Sequence, residues 1–372
     1  DHDNGVEEEP VIRAWMQDSV SPHSDDRPGR WVAEQDWPSP RIEARDCGLA
    51  PGRIAFGPAP ADDDALTIQS PLSVGLFAGK WCSYSESTDL PTDQRLEDGG
   101  SRVFDSDVLE RDLEILGAPV AELTLSADKP QAMIAVRLSD VAADGKVTLV
   151  TYGLLNLTHR DGHERPEPLV PGERYRVRVP LNYIGQRFPA GNRLRIALSS
   201  SYWPLAWPSP EPVTLTLYPR DSRLLLPVRE PRAADRMLHD LGTPRAAEPP
   251  ATTLLTPAHR EWNVRFNLAT NEAALQVIDN DARYRLDALE LVIDNEVSER
   301  YASCNDDYAT LRAEVVSTRR FERGDWQVTA VTRTLLTSTP SVFRVRATVD
   351  AYEGDSRVFS RSWDEAVPRD GI

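Results

Sequence analysis

Serines, histidines and carboxylates are the residue types here that could carry hydrolytic chemistry. A serine nucleophile needs a strained strand-to-helix turn that pushes its hydroxyl outward, written Gly-x-Ser-x-Gly. No serine of the chain has those flanking glycines, and the densest cluster, Ser199–Ser201, lies at the end of a strand-like run. The histidines are His2, His23, His159, His163, His239 and His259. Each falls in a turn, a tail or a linker, so none is placed as a base oriented by a carboxylate. His159 and His163 are four apart, but Asp161-Gly162 between them reads as a turn, and a solvated loop is favoured over a metal site. Asp62–Asp64, Asp105 with Asp107, and Asp306-Asp307 could offer oxygens to calcium, yet none follows the Asp-x-Asp-x-Asp-Gly cadence. Cys47, Cys82 and Cys304 form no Cys-x-x-Cys pair and read as buried free thiols of a reducing compartment, the cytoplasm. The expectation is no catalytic residue, no metal and no cofactor in this chain.

The aromatic loop Tyr202-Trp203-Pro204-Leu205-Ala206-Trp207-Pro208 is the more informative group. It places two tryptophans in a proline-stiffened segment at a strand end. Either the loop packs on the core, or Tyr202, Trp203 and Trp207 are substrate-contact residues, lining a pocket mouth or stacking on a sugar ring.

These residues must be positioned by the stretch Phe104–Tyr218, where apolar and polar residues alternate with period two in block after block. Val120–Leu125, Met133–Leu138, Val147–Leu155, Tyr175–Val179, Leu194–Leu198 and Val213–Leu217 read as strands with one face buried. Lys129-Pro130, Asp144-Gly145, Asp161-Gly162, Pro171-Gly172 and Ala190-Gly191-Asn192 supply the turns between them. Asp144-Gly145 predicts a hairpin closed by a two-residue primed turn. The fold class is all-β: an antiparallel β-sandwich followed by a second antiparallel meander or partial barrel.

At 372 residues the chain is long enough for two or three domains. A formal net charge of −17 excludes a nucleic-acid partner, which needs a basic patch, and disfavours an anionic membrane surface. No apolar run approaches the ~20 residues that span a bilayer.

The order of short pieces resembles the C-terminal region of the X-Pro dipeptidyl-peptidases and the cocaine esterase (CocE/NonD) hydrolases. The pieces are Asp93-Gln94-Arg95, Phe104-Asp105-Ser106, Leu113–Gly117, Val136-Arg137-Leu138-Ser139-Asp140-Val141, Gly145, Pro189-Ala190-Gly191-Asn192-Arg193-Leu194-Arg195 and Ser199–Pro204. The resemblance implies a jelly-roll (galactose-binding-like) sandwich, with the Ser-His-Asp triad in an α/β-hydrolase domain upstream of residue 1. It also implies that Asp3-Asn4-Gly5 marks where that domain has just ended, that Ser199–Ser201 is structural, and that the upstream domain is this chain's partner. Residues 1–241 are expected to form the jelly roll, with an irregular segment at 17–102 and a helix over 232–241. A linker is expected at 242–258 and an antiparallel β domain at 259–372, whose long strands call for pairing, by homo-oligomerisation or against the active site. The predicted function is a non-catalytic region of a serine hydrolase acting on esters or X-Pro peptides, capping or positioning its active site. The alternative is a carbohydrate-binding or adhesive sandwich.

Overall fold

The computed structural model describes residues 7, 9–24, 26–58, 64–79, 93–238, 242–243 and 246–371. They divide into two compact units, Asp1–Leu241 and Gly242–Asp370. In chain order the first unit contains β1 (Ile12–Gln17), β2 (Gly29–Glu34), β3 (Ile42–Ala50), β4 (Arg53–Phe56), β5 (Leu66–Ile68), a single-turn α1 (Arg95–Asp98), β6 (Arg102–Ser106), β7 (Leu113–Gly117), β8 (Val120–Ala127), β9 (Met133–Val141), β10 (Val147–Asn156), β11 (Tyr175–Pro180), β12 (Ile184–Phe188), β13 (Arg193–Ser199), β14 (Leu215–Leu217) and β15 (Arg223–Arg229). Strands β10-β9-β13-β6-β4 run side by side, while β8 pairs with β11, β14 and β15.

The period-two alternation explains the sandwich. Ile134, Val136 and Leu138 of β9 and Leu194, Ile196 and Leu198 of β13 point to one side. There they meet Leu123 and Leu125 of β8 and Val177 and Val179 of β11 in a single buried cluster. Each apolar side chain of that size contributes about 1.5–3 kcal/mol when fully buried, so these alternating runs decide the register of the sandwich. Strand β9 is buried along its whole length, so both of its faces are covered.

Asp144-Gly145 does turn the chain between β9 and β10, but Ala142 N–H also reaches Lys146 O, leaving three residues at the tip. Gly145 takes φ +83°, the left-handed position of a three-residue loop, so the expected two-residue turn is corrected. The segment read as irregular contains β2 and the nine-residue β3, which pairs with β15 along seven residues, Ile42↔Arg229 to Gly48↔Arg223. Only the last four residues of β3 are buried, which blurred its alternation. The helix expected at 232–241 is a 3₁₀ segment, Ala233–Met237, among the described residues.

The second unit contains β16 (Thr252–Thr256), β17 (His259–Asn267), β18 (Glu272–Asn280), β19 (Arg283–Leu286), β20 (Leu291–Cys304), β21 (Asp307–Arg323), β22 (Trp326–Ser338), β23 (Val342–Glu353) and β24 (Ser356–Pro368). They form one antiparallel sheet, with β20 to β24 side by side in chain order, as the meander reading expected. Strand β16 lies inside the stretch read as linker and pairs with β19. A 3₁₀ turn at Asp287–Leu289, followed by Glu290 at φ +51°, separates β19 from β20. Asp294, Asn295, Glu296 and Glu299 interrupt the apolar pattern along β20. Asn305 and Asp306, at φ +54° and +55°, close the β20–β21 hairpin with a two-residue primed turn.

Candidate functional site

The outer face of β9 is covered by three short segments: residues 71–79, α1, and the aromatic loop after β13. Val74, Met133, Ala135 and Tyr202 form the buried cluster between them. Tyr202 and Trp203 are 0% and 1% exposed, and Trp207 is half-buried. The Trp203 and Trp207 rings meet edge to face, with centroids 4.8 Å apart, and Tyr202 leans on Tyr152 at 5.9 Å. Backbone bonds tie the loop down: Trp203 N–H donates to Val74 O at 3.0 Å, and Ala206 N–H to Tyr202 O at 3.0 Å. Of the three substrate-contact candidates, Tyr202 and Trp203 are buried within the loop packing, and Trp207 keeps part of its ring surface open. A sugar-stacking platform needs an exposed ring face, which neither Tyr202 nor Trp203 offers. An exposed pair not singled out from the sequence, Trp15 and Trp31, sits across the β1–β2 pairing with centroids 5.4 Å apart.

Polar groups beneath the loop are joined into a network. Glu97 of α1 accepts from Gly75 N–H at 2.6 Å and Phe77 N–H at 2.7 Å, stapling residues 71–79 to α1. Burial pushes its carboxyl pKa up, against the pull of the Arg137 guanidinium and the two N–H donors. Arg137, fully buried on β9, donates to Gln94 Oε1 at 2.8 Å, Asp98 Oδ1 at 3.0 Å and Ser101 Oγ at 3.1 Å. Asp98 also accepts from Arg195 at 2.9 Å, and Arg195 forms a two-pronged pair with Asp105 at 2.6 and 2.7 Å. A separate buried carboxylate, Asp140, accepts from Ser19 Oγ and from Asn192 Nδ2, the latter at 2.9 Å, and burial raises its pKa. The hydroxyl of Tyr202, buried near Arg137, Glu97 and Asp98, has its pKa shifted upward by burial and finds no hydrogen-bond partner among the described residues.

Ser200 and Ser70 exchange hydrogen bonds, each backbone N–H donating to the other's hydroxyl at 3.0 and 3.2 Å, so this serine clasps two segments together. His159 and His163 face each other with Nδ1 atoms 3.1 Å apart on an exposed turn, and His259 pairs with Glu261 at 3.2 Å. Among the described residues no histidine shares a hydrogen bond with a serine, threonine or cysteine. Nor does any group of three or more His, Cys, Asp or Glu there have metal-site geometry. Asp105 is taken by Arg195 and Asp107 by Arg53, while Asp62, Asp63 and Cys82 lie outside the described residues. Cys47 is buried as expected, and Cys304 is only partly so. No helix among the described residues is long and apolar enough to cross a membrane.

A comparison with protein families matches residues 4–248 to the X-Pro dipeptidyl-peptidase C-terminal non-catalytic domain. Among curated proteins the chain is similar to cocaine esterase of Rhodococcus sp., at 22% identity over 186 residues, covering 47% of this chain and 32% of that protein. A Mycobacterium bovis protein that carries a serine-esterase name is 24% identical over 203 residues, covering 46% of this chain and 31% of its own length. The chain thus spans about a third of the curated relatives it matches. A solved aminopeptidase from a marine-sediment Thaumarchaeota archaeon shares 20% identity at a TM-score of 0.48, over 54% of this chain and 39% of its own.

Proposed function

This chain belongs to the family of X-Pro dipeptidyl-peptidase C-terminal non-catalytic domains, and from that premise we propose that it is the accessory region of a serine hydrolase of the cocaine esterase and X-Pro dipeptidyl-peptidase kind. The family match over residues 4–248 carries the proposal. The parent enzyme cleaves acyl esters or X-Pro peptides with a triad in an upstream α/β-hydrolase domain, working in the cytoplasm. The sandwich caps or positions that active site. The pinned-down loop supports a positioning role, since a surface held by backbone bonds and a buried ionic network keeps its shape against a partner domain. Trp207, the part-open ring of that loop, is the residue proposed to reach the substrate.

The test compares this chain, the full-length protein and its hydrolase domain alone on p-nitrophenyl esters and X-Pro anilides. Turnover is expected from the full-length protein and not from this chain, and the hydrolase domain alone should show a raised KM. In the full-length protein Trp207→Ala should raise KM by several-fold with little change in kcat. Turnover by this chain that survives repurification sinks the proposal.

A further inference from the structure

We infer that the apolar face of the β20–β24 sheet is the contact surface between two copies of this chain. This inference rests on the second unit alone and not on the hydrolase reading.

Side chains paired across strands share a face. Leu336 opposite Val345, Thr334 opposite Ala347 and Ala330 opposite Ala351 put β22 and β23 on one apolar surface, which Trp363 and Phe359 of β24 continue. The reverse face is polar, and its charges are satisfied within the sheet: Arg333 with Glu314, Arg320 with Asp294, and Arg344 with Asp364. A one-sided sheet is stable only when a second layer covers its apolar face. Every strand of this unit belongs to the one sheet, and among the described residues its only buried hydrophobic side chains are Ala274, Leu275, Ala302 and Leu311. Trp262, Trp326 and Phe359 on the apolar face remain 42, 44 and 52% exposed.

Size and charge both point to a second copy as the covering layer. Five strands at ~4.8 Å spacing and ~12 residues at ~3.3 Å present roughly 950 Å². Two copies would bury about twice that, above the ~1,600 Å² of a standard stable interface. In the middle of this face lie four charges with no ion-pair partner among the described residues: Arg319, Arg361, Glu299 and Glu365. Through the pairing registers Arg319 lies level with Ala330 and Arg361 with Thr332, whereas Glu299 lies level with Thr334 and Glu365 with Leu336. In the middle of the face cations occupy one half of the strand length and anions the other; towards its end the cation half adds Arg323, level with Trp326, and one acid, Glu353, level with Val328. A two-fold axis crossing the strands lays each half on its opposite, the self-complementarity that an isologous dimer requires.

The whole chain should run in light scattering at twice its 41.5 kDa mass. Val345→Asp with Val349→Asp should halve that mass, while Thr348→Asp on the reverse face should leave it unchanged, with far-UV circular dichroism confirming the fold of each. Arg319→Glu with Arg361→Glu makes the four central charges of the face all acidic, and Glu299→Arg with Glu365→Arg makes them all basic. Each should be monomeric alone, and an equimolar mixture should form a heterodimer. A wild-type monomer at roughly 100 μM, where an interface of this area should be occupied, overturns the inference. So does a dimer that ignores the charge reversals, or a face that binds the hydrolase domain as a monomer.

Discussion

A Cβ placed on Gly75 would lie 2.3 Å from the carbonyl oxygen of Trp203 and 2.6 Å from its amide nitrogen. Gly75 sits at φ +112°, so an L side chain there meets both backbone strain and the aromatic loop. Gly75→Ala should cost about 1–3 kcal/mol and change tryptophan fluorescence as the loop lifts. An unchanged urea midpoint would show that the two segments do not depend on each other.

The two tryptophans of the loop should behave differently in this chain. Trp203 is buried, and Trp203→Ala should destabilise by about 3–5 kcal/mol through lost contacts and the cavity left behind. Trp207, half-buried, should cost clearly less. Chemical denaturation of the two variants decides it, and a larger loss at Trp207 would contradict the packing described above.

Arg229 is fully buried and donates to Glu34 at 2.7 Å and to Asp235 at 2.6 and 2.9 Å, joining β15 to β2 and to the 3₁₀ segment after it. Arg229→Met removes the buried counterion the two carboxylates share, leaving Glu34 only Arg41 and Asp235 only Arg232, and a loss approaching about 3–5 kcal/mol is expected. The triple change Arg229→Met, Glu34→Gln, Asp235→Asn should recover part of it. Full additivity of the single losses would argue against a coupled cluster.

The same cluster predicts the sign of an acid effect. Burial alone would raise the Asp235 carboxyl, but hydrogen bonds from Arg229 and Arg232 with the Arg229 charge outweigh it and hold the pKa below the ordinary 3.8. A depressed folded pKa means that the unfolded chain binds the proton more readily, so Asp235 stabilises the fold above pH 3.8 and loses that contribution as pH falls through its folded value. The stability gap between wild type and Asp235→Asn should be full at pH 7 and shrink below pH 4. A gap that grows on acidification would reverse the argument.

Burial pushes the Cys47 thiol up to about 12, and thiolate is the reactive form. Cys304 is partly exposed, its sulfur 3.1 Å from Thr270 O. At pH 8 an alkylating reagent should label Cys304 in the native chain and Cys47 only on unfolding, as read by peptide mass mapping. Native labelling of Cys47 would show that the β3 region opens on its own.

What the sequence by itself determined is what depends on neighbours along the chain. The alternation of β8, β9, β11 and β13 shows which face is apolar, and left-handed turns at Asn305-Asp306 and Gly145 need residues that tolerate positive φ. Strands β2 and β3 escaped because prolines flank one and charges cover most of the other. Only the tertiary structure decided the meaning of the scattered short pieces. Arg137 finds Gln94, Arg195 finds Asp105, and Asn192 finds Asp140 across separations of 43, 90 and 52 residues. It also decided that, of the loop's three aromatic rings, Tyr202 and Trp203 are buried and Trp207 is part-open. A hydrogen bond or a packed ring needs its partner within a few ångströms in space, and spacing along the chain cannot say which distant residue that will be.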